Sequence, residues 1–115
     1  IPADSDLELL PYYWLELNAI PFMHQVVVLG GASTVDFVLF HLADGCMAWR
    51  IMGGYWHPKV GAKQTSDEAQ KRQLIGAEAG GQIIRRVIDL DEEDLISKLR
   101  LVCEQAVQGI EWTHY

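Results

Sequence analysis

Cysteine is scarce in this chain of 115 residues, which contains only Cys46 and Cys103. Two cysteines cannot form the network of disulfide bridges that holds many small secreted domains together. Compartments that keep thiols reduced are also those in which isolated cysteines are common. We therefore interpret both residues as reduced thiols and expect the protein to be cytoplasmic.

Positive charge is also scarce. Lysine and arginine number 9 against 16 aspartates and glutamates, and the formal net charge is −7. The basic residues form no block, and Arg85-Arg86 is the only adjacent arginine pair. Because nucleic-acid affinity comes mainly from basic side chains at phosphates, we expect no nucleic-acid partner. No apolar run approaches the ~20 residues that span a bilayer, so we expect no membrane partner either.

Motifs for metals and cofactors are missing as well. The histidines at positions 24, 41, 57 and 114 lack the paired spacing of a metal site, and there is no C-x-x-C pair. The apolar run before Gly30-Gly31 is followed by neither the glycine pattern nor the lysine of a phosphate-binding loop. We therefore expect no metal and no cofactor.

What the chain does have is enough apolar content for one core. Hydrophobic residues make up 50% and charged residues 22% of the sequence. This balance is typical of a globular chain and not of a disordered one. A chain of this length supports a single hydrophobic core, so we predict one domain spanning residues 1–115.

Residues 35–52 predict a β-hairpin around which the other elements are arranged. Asp44-Gly45 has the composition of a two-residue turn with positive φ at both central positions. Such a turn places Phe40 opposite Trp49 and His41 opposite Ala48. Because side chains alternate between the two faces of a strand, the hairpin divides into two sets of residues. The predicted core face carries Val38, Phe40, Leu42, Met47, Trp49 and Ile51.

The second face of this hairpin is unusual in composition. It carries Phe37, Leu39, His41, Ala43, Cys46, Ala48, Arg50 and Met52. It is too apolar to face solvent, although it includes a histidine and an arginine. We expect it to be covered by a helix, a second subunit or a ligand.

Two elements are predicted before the hairpin. Residues 24–29 are rich in valine and predict a strand, which completes a β-meander with the hairpin. Residues 11–18 form either a short helix that begins at Pro11 or a strand, because their pattern fits both. Of these two alternatives, the helix is slightly favoured.

A helix is predicted after the loop that follows the hairpin. Thr65 and Glu68 have the spacing of a capping box, which marks the start of a helix. Gly80-Gly81 would supply the C-cap of this helix after Ala79. Its apolar content is low, so we predict a half-exposed helix of modest stability.

The C-terminal part predicts one more strand and the best helix of the chain. Residues 82–90 are read as a strand, with a helix as the alternative. Asp91 caps a helix that ends at Gly109 and covers the face of Phe40 and Trp49. Its apolar stripe is Leu95, Ile96, Leu99, Val102, Cys103 and Ala106. The predicted fold is α+β: a four-stranded, mostly antiparallel sheet, a β-meander plus one later strand, with helices packed mainly on one face.

The only catalytic candidates are His41, Cys46 and Arg50. In the predicted register all three lie on one face around Ala48. A cysteine beside a histidine can become a thiolate nucleophile, and a nearby arginine lowers the pKa of a thiol or holds an anion. No orienting acid is visible in the sequence, so a packed histidine and a packed cysteine are the simpler interpretation.

Aromatic residues with polar tips form a second candidate site. Tyr55, Trp56 and His57 follow the hairpin in a loop marked by Pro58. Such residues line ligand pockets and protein interfaces. Two interpretations of this loop remain: a site for a partner protein or a small apolar ligand, or a segment that packs on its own sheet.

Surplus apolar surface suggests self-association. Phe37, Leu39 and Met52 on the second hairpin face would be covered in a dimer by their own copies, or by Trp112 and Tyr115 of the other chain. The sequence therefore predicts a small self-associating binding module without enzymatic activity. The alternative is a small enzyme that uses Cys46, His41 and Arg50.

Overall fold

The computed structural model describes residues 6–53 and 62–112 and contains three α-helices and five strands within them. The helices are α1 (Asp6–Leu17), α2 (Ala62–Leu74) and α3 (Glu92–Val107). The strands are β1 (Phe22–Val28), β2 (Ser33–Leu39), β3 (Cys46–Met52), β4 (Glu78–Ala79) and β5 (Gln82–Asp91). The α+β class is confirmed. No helix in these described ranges is long and apolar enough to cross a membrane.

The strands form one mixed sheet in the order β1-β2-β3-β5-β4. The predicted β-meander is present, since β2 pairs antiparallel with both β1 and β3. The prediction of four mostly antiparallel strands was incomplete in two respects. The two-residue strand β4 was missed, and β5 runs parallel to β3. The parallel pairing follows from α2, because a helical crossover returns the chain to the end of the sheet where β3 began.

The predicted register of β2 and β3 was wrong by three residues. Phe37 lies opposite Trp49 and Leu39 opposite Met47, whereas Phe40 had been placed opposite Trp49. The connection runs from 40 to 45 and is longer than the two-residue turn that was expected. An odd shift transfers every β2 side chain to the opposite face relative to β3. Gly45 serves close packing here, because a Cβ at this position would lie 2.4 Å from the carbonyl oxygen of Ile83.

Both faces of the sheet are covered within the chain, whereas helices were expected mainly on one. The core between the sheet and helices α1 and α3 consists of Leu15, Phe37, Leu39, Met47, Trp49, Ile88, Leu90, Leu95, Val102, Cys103 and Ala106. The core on the opposite face, on the side of α2, consists of Val26, Val28, Val35, Val38, Cys46, Ala48, Leu74, Ala79, Ile84 and Val87. The sheet also curls until β1 meets β4, where Met23 and Phe40 contact Gly80. We call the two sides the α1/α3 face and the α2 face.

The first helix begins earlier than predicted and is not a strand. It starts at Asp6 and runs through Pro11, which had been expected to open it. A proline in the second turn cannot donate to the carbonyl of Leu7, a loss that helices seldom tolerate. Pro11 and Leu15 are both buried, one turn apart on the same side. Burial of this side compensates for the missing hydrogen bond.

The second helix ends at Leu74, five residues before the predicted end. Gly80 and Gly81 do not cap it. They have φ of 57° and 82° and form the two-residue turn between β4 and β5. This hairpin turn requires positive φ at two adjacent residues, whereas a helix C-cap requires it at one residue. A glycine pair is compatible with both structures.

The strand and helix predicted for the C-terminal part agree best with the structure. Residues 82–90 are part of strand β5. Asp91 caps α3 by accepting a hydrogen bond from the backbone amide of Glu93 at 2.9 Å. The predicted stripe is buried except for half-buried Leu99 and for Ile96, which is 63% exposed. Helix α3 covers Trp49 as predicted, but Phe40 belongs to the α2 face.

Candidate functional site

The structure does not bring the three catalytic candidates together. Cys46 is completely buried on the α2 face, with its Sγ 3.9 Å from the carbonyl oxygen of Ala79. Burial raises the pKa of this thiol. His41 lies in the 40–45 connection and donates from Nε2 to the carbonyl of Val107 at the end of α3, at 2.7 Å. The predicted cysteine–histidine pair is therefore wrong, because the register shift sends the two side chains to different partners.

Arg50, the third candidate, forms a buried ion pair. Its Nε and Nη2 atoms donate to the two carboxylate oxygens of Asp89 at 2.7 and 2.9 Å. Arg50 is 6% exposed, and its remaining nitrogen Nη1 donates to Gln70 and to the carbonyl of Asp67 on α2. Gln70 in turn donates to Ser33 at 3.2 Å. The arginine therefore links β3, β5 and α2, and its fork geometry is already used.

The polar network continues outward from Asp89. Lys71 of α2 lies 3.8 Å from the second carboxylate oxygen of Asp89 and forms an ion pair with Glu111. The carboxylate of Glu111 also accepts a hydrogen bond from the backbone amide of Asp89 at 3.0 Å. Glu111 belongs to the segment that follows α3 along the outer edge of β5. Its carboxylate thus occupies a position defined by one ammonium group and one backbone amide.

Lys71 and Glu111 line a cleft of about 370 Å³ at the outer edge of β5. Its walls come from α2, β5 and the segment after α3. The lining residues are Lys71, Ile75, Arg85, Arg86, Val87, Ile88, Gly109 and Glu111. Most of the lining is charged or aliphatic, and none of these residues is aromatic. The cleft therefore differs from the aromatic pocket for an apolar ligand that the sequence suggested.

Two arginines of the cleft, Arg85 and Arg86, form no ion pair with a carboxylate of the described residues. Arg85 donates from Nε to the carbonyl of Asp44 at 2.9 Å, and Arg86 donates to the carbonyl of Gly109. Both arginine side chains are exposed. A backbone carbonyl accepts the hydrogen bond without cancelling the charge, so both guanidinium groups remain able to attract an anion. Glycine suits position 109, because its φ of 83° strains other residues and a Cβ there would push the Arg86 side chain away.

The residues predicted for a dimer interface are distributed differently. Phe37 and Leu39 are completely buried on the α1/α3 face and offer no surface to a second copy. Their assignment to the second hairpin face was wrong because of the register shift. Met52 and Trp112 are half-buried, and Trp112 packs against the same core. Tyr55, Trp56, His57 and Tyr115 lie outside the described residues.

A second polar cluster joins α1 to β1. Glu8 accepts hydrogen bonds at 2.7 Å from Nε2 of His24 and from Nε2 of Gln25. The His24 ring stacks on Phe37, with centroids 4.8 Å apart. Gln25 has a φ of 59°, a strained value for a residue with a side chain. The cluster anchors the first helix on an edge strand and does not border the cleft.

The sequence contained one signal for the cleft that was not used. Arg85-Arg86 is a charged pair inside an otherwise isoleucine- and valine-rich strand. Two adjacent charges break the alternation of a buried strand and indicate an exposed edge or a bulge. The register of β5 against β3 does shift at this point. Lys71 and Glu111 lie 40 residues apart and could not be paired from the sequence.

Known proteins give no guide to the site. The chain matches no protein-family model, and no match was found among curated proteins or solved structures. In the described part of the chain, no group of three or more His, Cys, Asp or Glu side chains is arranged to hold a metal ion. The geometry of the cleft is therefore the basis for assigning a function.

Proposed function

We propose that this chain is a binding module and that the cleft at the outer edge of β5 takes an anionic ligand through a carboxylate group. One observation carries the proposal. The Glu111 carboxylate is held by Lys71 and by the backbone amide of Asp89 inside a cleft that two further arginines line. The position therefore already suits a carboxylate, and a ligand with the same group would use the same donors.

The charge of the whole chain does not oppose this proposal strongly. The net charge of −7 repels anions at long range. At physiological ionic strength, however, exposed charges are screened beyond about 8 Å. Lys71, Arg85 and Arg86 all border the cleft, so their attraction acts within that distance of a bound anion.

The proposal favours binding over the enzyme alternative because of what surrounds the former catalytic candidates. The Cys46 thiol is buried and its pKa is raised, so the reactive thiolate is disfavoured. Arg50 is committed to Asp89, Gln70 and the carbonyl of Asp67, and it does not line the cleft. Neither residue is placed to act on a substrate.

Titration of the ¹⁵N-labelled chain with succinate tests the proposal. We expect shifts of the backbone amides of Val87 and Asp89, which point to the outer edge of β5. Arg85→Gln should weaken binding roughly 5- to 10-fold, because it removes one charge-assisted contact of about 1–1.4 kcal/mol. Arg100→Gln is the matched control, because it removes the same charge from a side chain on α3 that is 86% exposed. Equal weakening by both variants, or no shift at these amides, would contradict the proposal.

Self-association stays a prediction, but different residues now favour it. Leu17 on α1 is 85% exposed and Val27 on β1 is 64% exposed. Sedimentation at micromolar concentration distinguishes a dimer from a species of 13.0 kDa. Leu17→Glu should dissociate a dimer formed through the end of α1, whereas Ile96→Glu on α3 should not. The buried Leu39 is unsuitable for this test, because a charge there would unfold the chain.

A further inference from the structure

Most of the outer edge of β5 has no strand partner among the described residues. Strand β4 pairs only with Gln82 and Ile83 of this ten-residue strand. Hydrogen bonds from Gly76 to Ile84 and from Ile84 to Ala77, both at 2.8 Å, extend the pairing by one residue. Beyond Ile84, no strand of the described residues pairs on this side. The free edge is the wall of the cleft.

The direction of one amide defines which backbone groups are available. The Asp89 amide points away from β3, because it donates to Glu111 at the outer edge. Backbone groups alternate along a strand with a period of two residues. The amide and carbonyl of Val87 therefore point outward as well, into the cleft that Val87 lines. An open edge of this kind pairs readily with an added strand.

The position of Glu111 indicates that an added strand would carry a carboxylate side chain. It is a side chain from a non-helical segment that takes the place of a backbone acceptor at the Asp89 amide. The Ile110 amide donates to the carbonyl of Gln105 at 3.0 Å, and Trp112 packs on the α1/α3 core, so the backbone of this segment is anchored. Only the Glu111 side chain therefore has to move. A carboxylate on an incoming segment would meet Lys71 at the same position. The two flanking guanidinium groups of Arg85 and Arg86 would meet further acidic side chains.

We infer that the ligand of this cleft is an extended acidic peptide segment of a partner protein, which adds a strand to the outer edge of β5 and displaces the Glu111 carboxylate from Lys71 and the Asp89 amide. The inference rests on the proposed function, because it specifies the class of ligand for the same cleft. Backbone pairing provides the affinity and the basic side chains provide the selection for acidic residues.

Three probes separate this inference from simple anion binding. The first is a strand-length peptide in which glutamate alternates with valine or threonine. The second is the same peptide with alternate backbone amides N-methylated, which keeps the charges and removes the hydrogen-bond donors. The third is succinate. The readouts are the dissociation constant of the full chain for each probe and the hydrogen-exchange protection of the Val87 and Asp89 amides.

We expect the unmodified peptide to bind at least ~10-fold more tightly than the N-methylated peptide, which corresponds to about 1.4 kcal/mol. The Val87 and Asp89 amides should gain protection only with the unmodified peptide. Equal affinity for both peptides would overturn the strand pairing and leave the anion site intact. Absence of binding for all three probes would overturn the inference together with the proposed function.

A variant tests whether Glu111 is the internal competitor. Glu111→Gln removes the charge that holds it on Lys71, so the acidic peptide should bind about threefold or more tightly. Glu104→Gln is the matched control, because Glu104 is 51% exposed beside Arg100 and does not line the cleft. An unchanged or weaker affinity in Glu111→Gln would overturn the displacement.

Discussion

The α1/α3 face of the sheet is packed with large apolar side chains, whereas the α2 face buries mostly smaller ones and a charged pair. Phe37, Trp49 and Met47 fill the first face. Valines, alanines and Cys46 make up most of the second, with Leu74 and Ile84, beside the Arg50–Asp89 ion pair. The polar network of the α2 face leads through Lys71 to the cleft, whereas the α1/α3 face contributes only the apolar Ile88 to the cleft lining that the structure describes. We therefore expect ligand binding to depend mainly on the α2 face and the largest losses of stability to come from the α1/α3 face.

The largest effect should come from the α1/α3 face. Trp49→Ala should lower the free energy of unfolding by about 3–5 kcal/mol, because it empties a fully buried site beside Trp14. Val38→Ala on the α2 face should cost about 2 kcal/mol, since it removes less volume. Urea denaturation at constant pH measures both. A smaller loss for Trp49→Ala than for Val38→Ala would reverse the comparison.

The charged pair should show an asymmetry between its two partners. Asp89→Asn removes the carboxylate that pairs with buried Arg50, which keeps Gln70, the Asp67 carbonyl and a weaker attraction to Asp36, and should cost about 3 kcal/mol. Arg50→Met should cost about 1–2 kcal/mol, because Asp89 keeps Lys71 at 3.8 Å and is 21% exposed. The order of the two unfolding free energies is the test. Equal losses would mean that Lys71 does not compensate the carboxylate.

This comparison also shows where sequence reasoning succeeded. The alternation along β3 was read correctly, with Met47 and Trp49 on one face and Cys46 and Ala48 on the other. Alternation within a strand depends only on its own residues. The N-cap Asp91 and strand β5 were predicted for the same reason, because their signals are local.

The errors arose where the result depended on residues far apart. Which β2 side chains share a face with those of β3 depends on the length of the connection between the two strands. The Asp44-Gly45 pair suggested a tight turn, whereas glycine is required at position 45 because the carbonyl oxygen of Ile83 lies too close for a Cβ. Gly80-Gly81 suited two different structures equally. The cleft combines Lys71, Arg86 and Glu111 from three separate elements. Only the crossover of α2 and the return of the chain after α3 bring these residues together.

The two thiols can report on the stability of each face. Cys46 and Cys103 are both completely buried, and burial raises the pKa of Cys103 to about 12. We expect neither to react with iodoacetamide in the native protein at neutral pH, as measured by mass spectrometry. In urea below the unfolding transition, Cys46 should react first, because short β4 and α2 cover it while Cys103 lies in the large apolar cluster. Earlier reaction of Cys103 would show that the α1/α3 face opens more easily.

The smallest effect is expected at Asp36 on β2, and it depends on pH. Burial raises the pKa of this carboxyl above its ordinary value of 3.8, while the hydrogen bond from the Ile51 amide at 2.7 Å lowers it. The repulsion of Glu8 raises the pKa further, and His24 and Arg50 lower it. The folded chain therefore holds this proton more tightly than the unfolded chain. The contribution of Asp36 to stability falls as pH rises from the ordinary value through the raised pKa.

Asp36→Asn keeps an acceptor for the Ile51 amide and removes the desolvated charge. At pH 7 the variant should equal the natural chain in stability or exceed it by under about 1 kcal/mol, and the difference should vanish near about pH 3. Urea denaturation at the two pH values measures it, and Asp44→Asn in the exposed connection controls for loss of one carboxylate. A clear loss of stability at pH 7 would mean that the Asp36 charge is favourable beside Arg50. Arg50 would then stabilise the carboxylate of Asp36 on β2 in addition to that of Asp89 on β5.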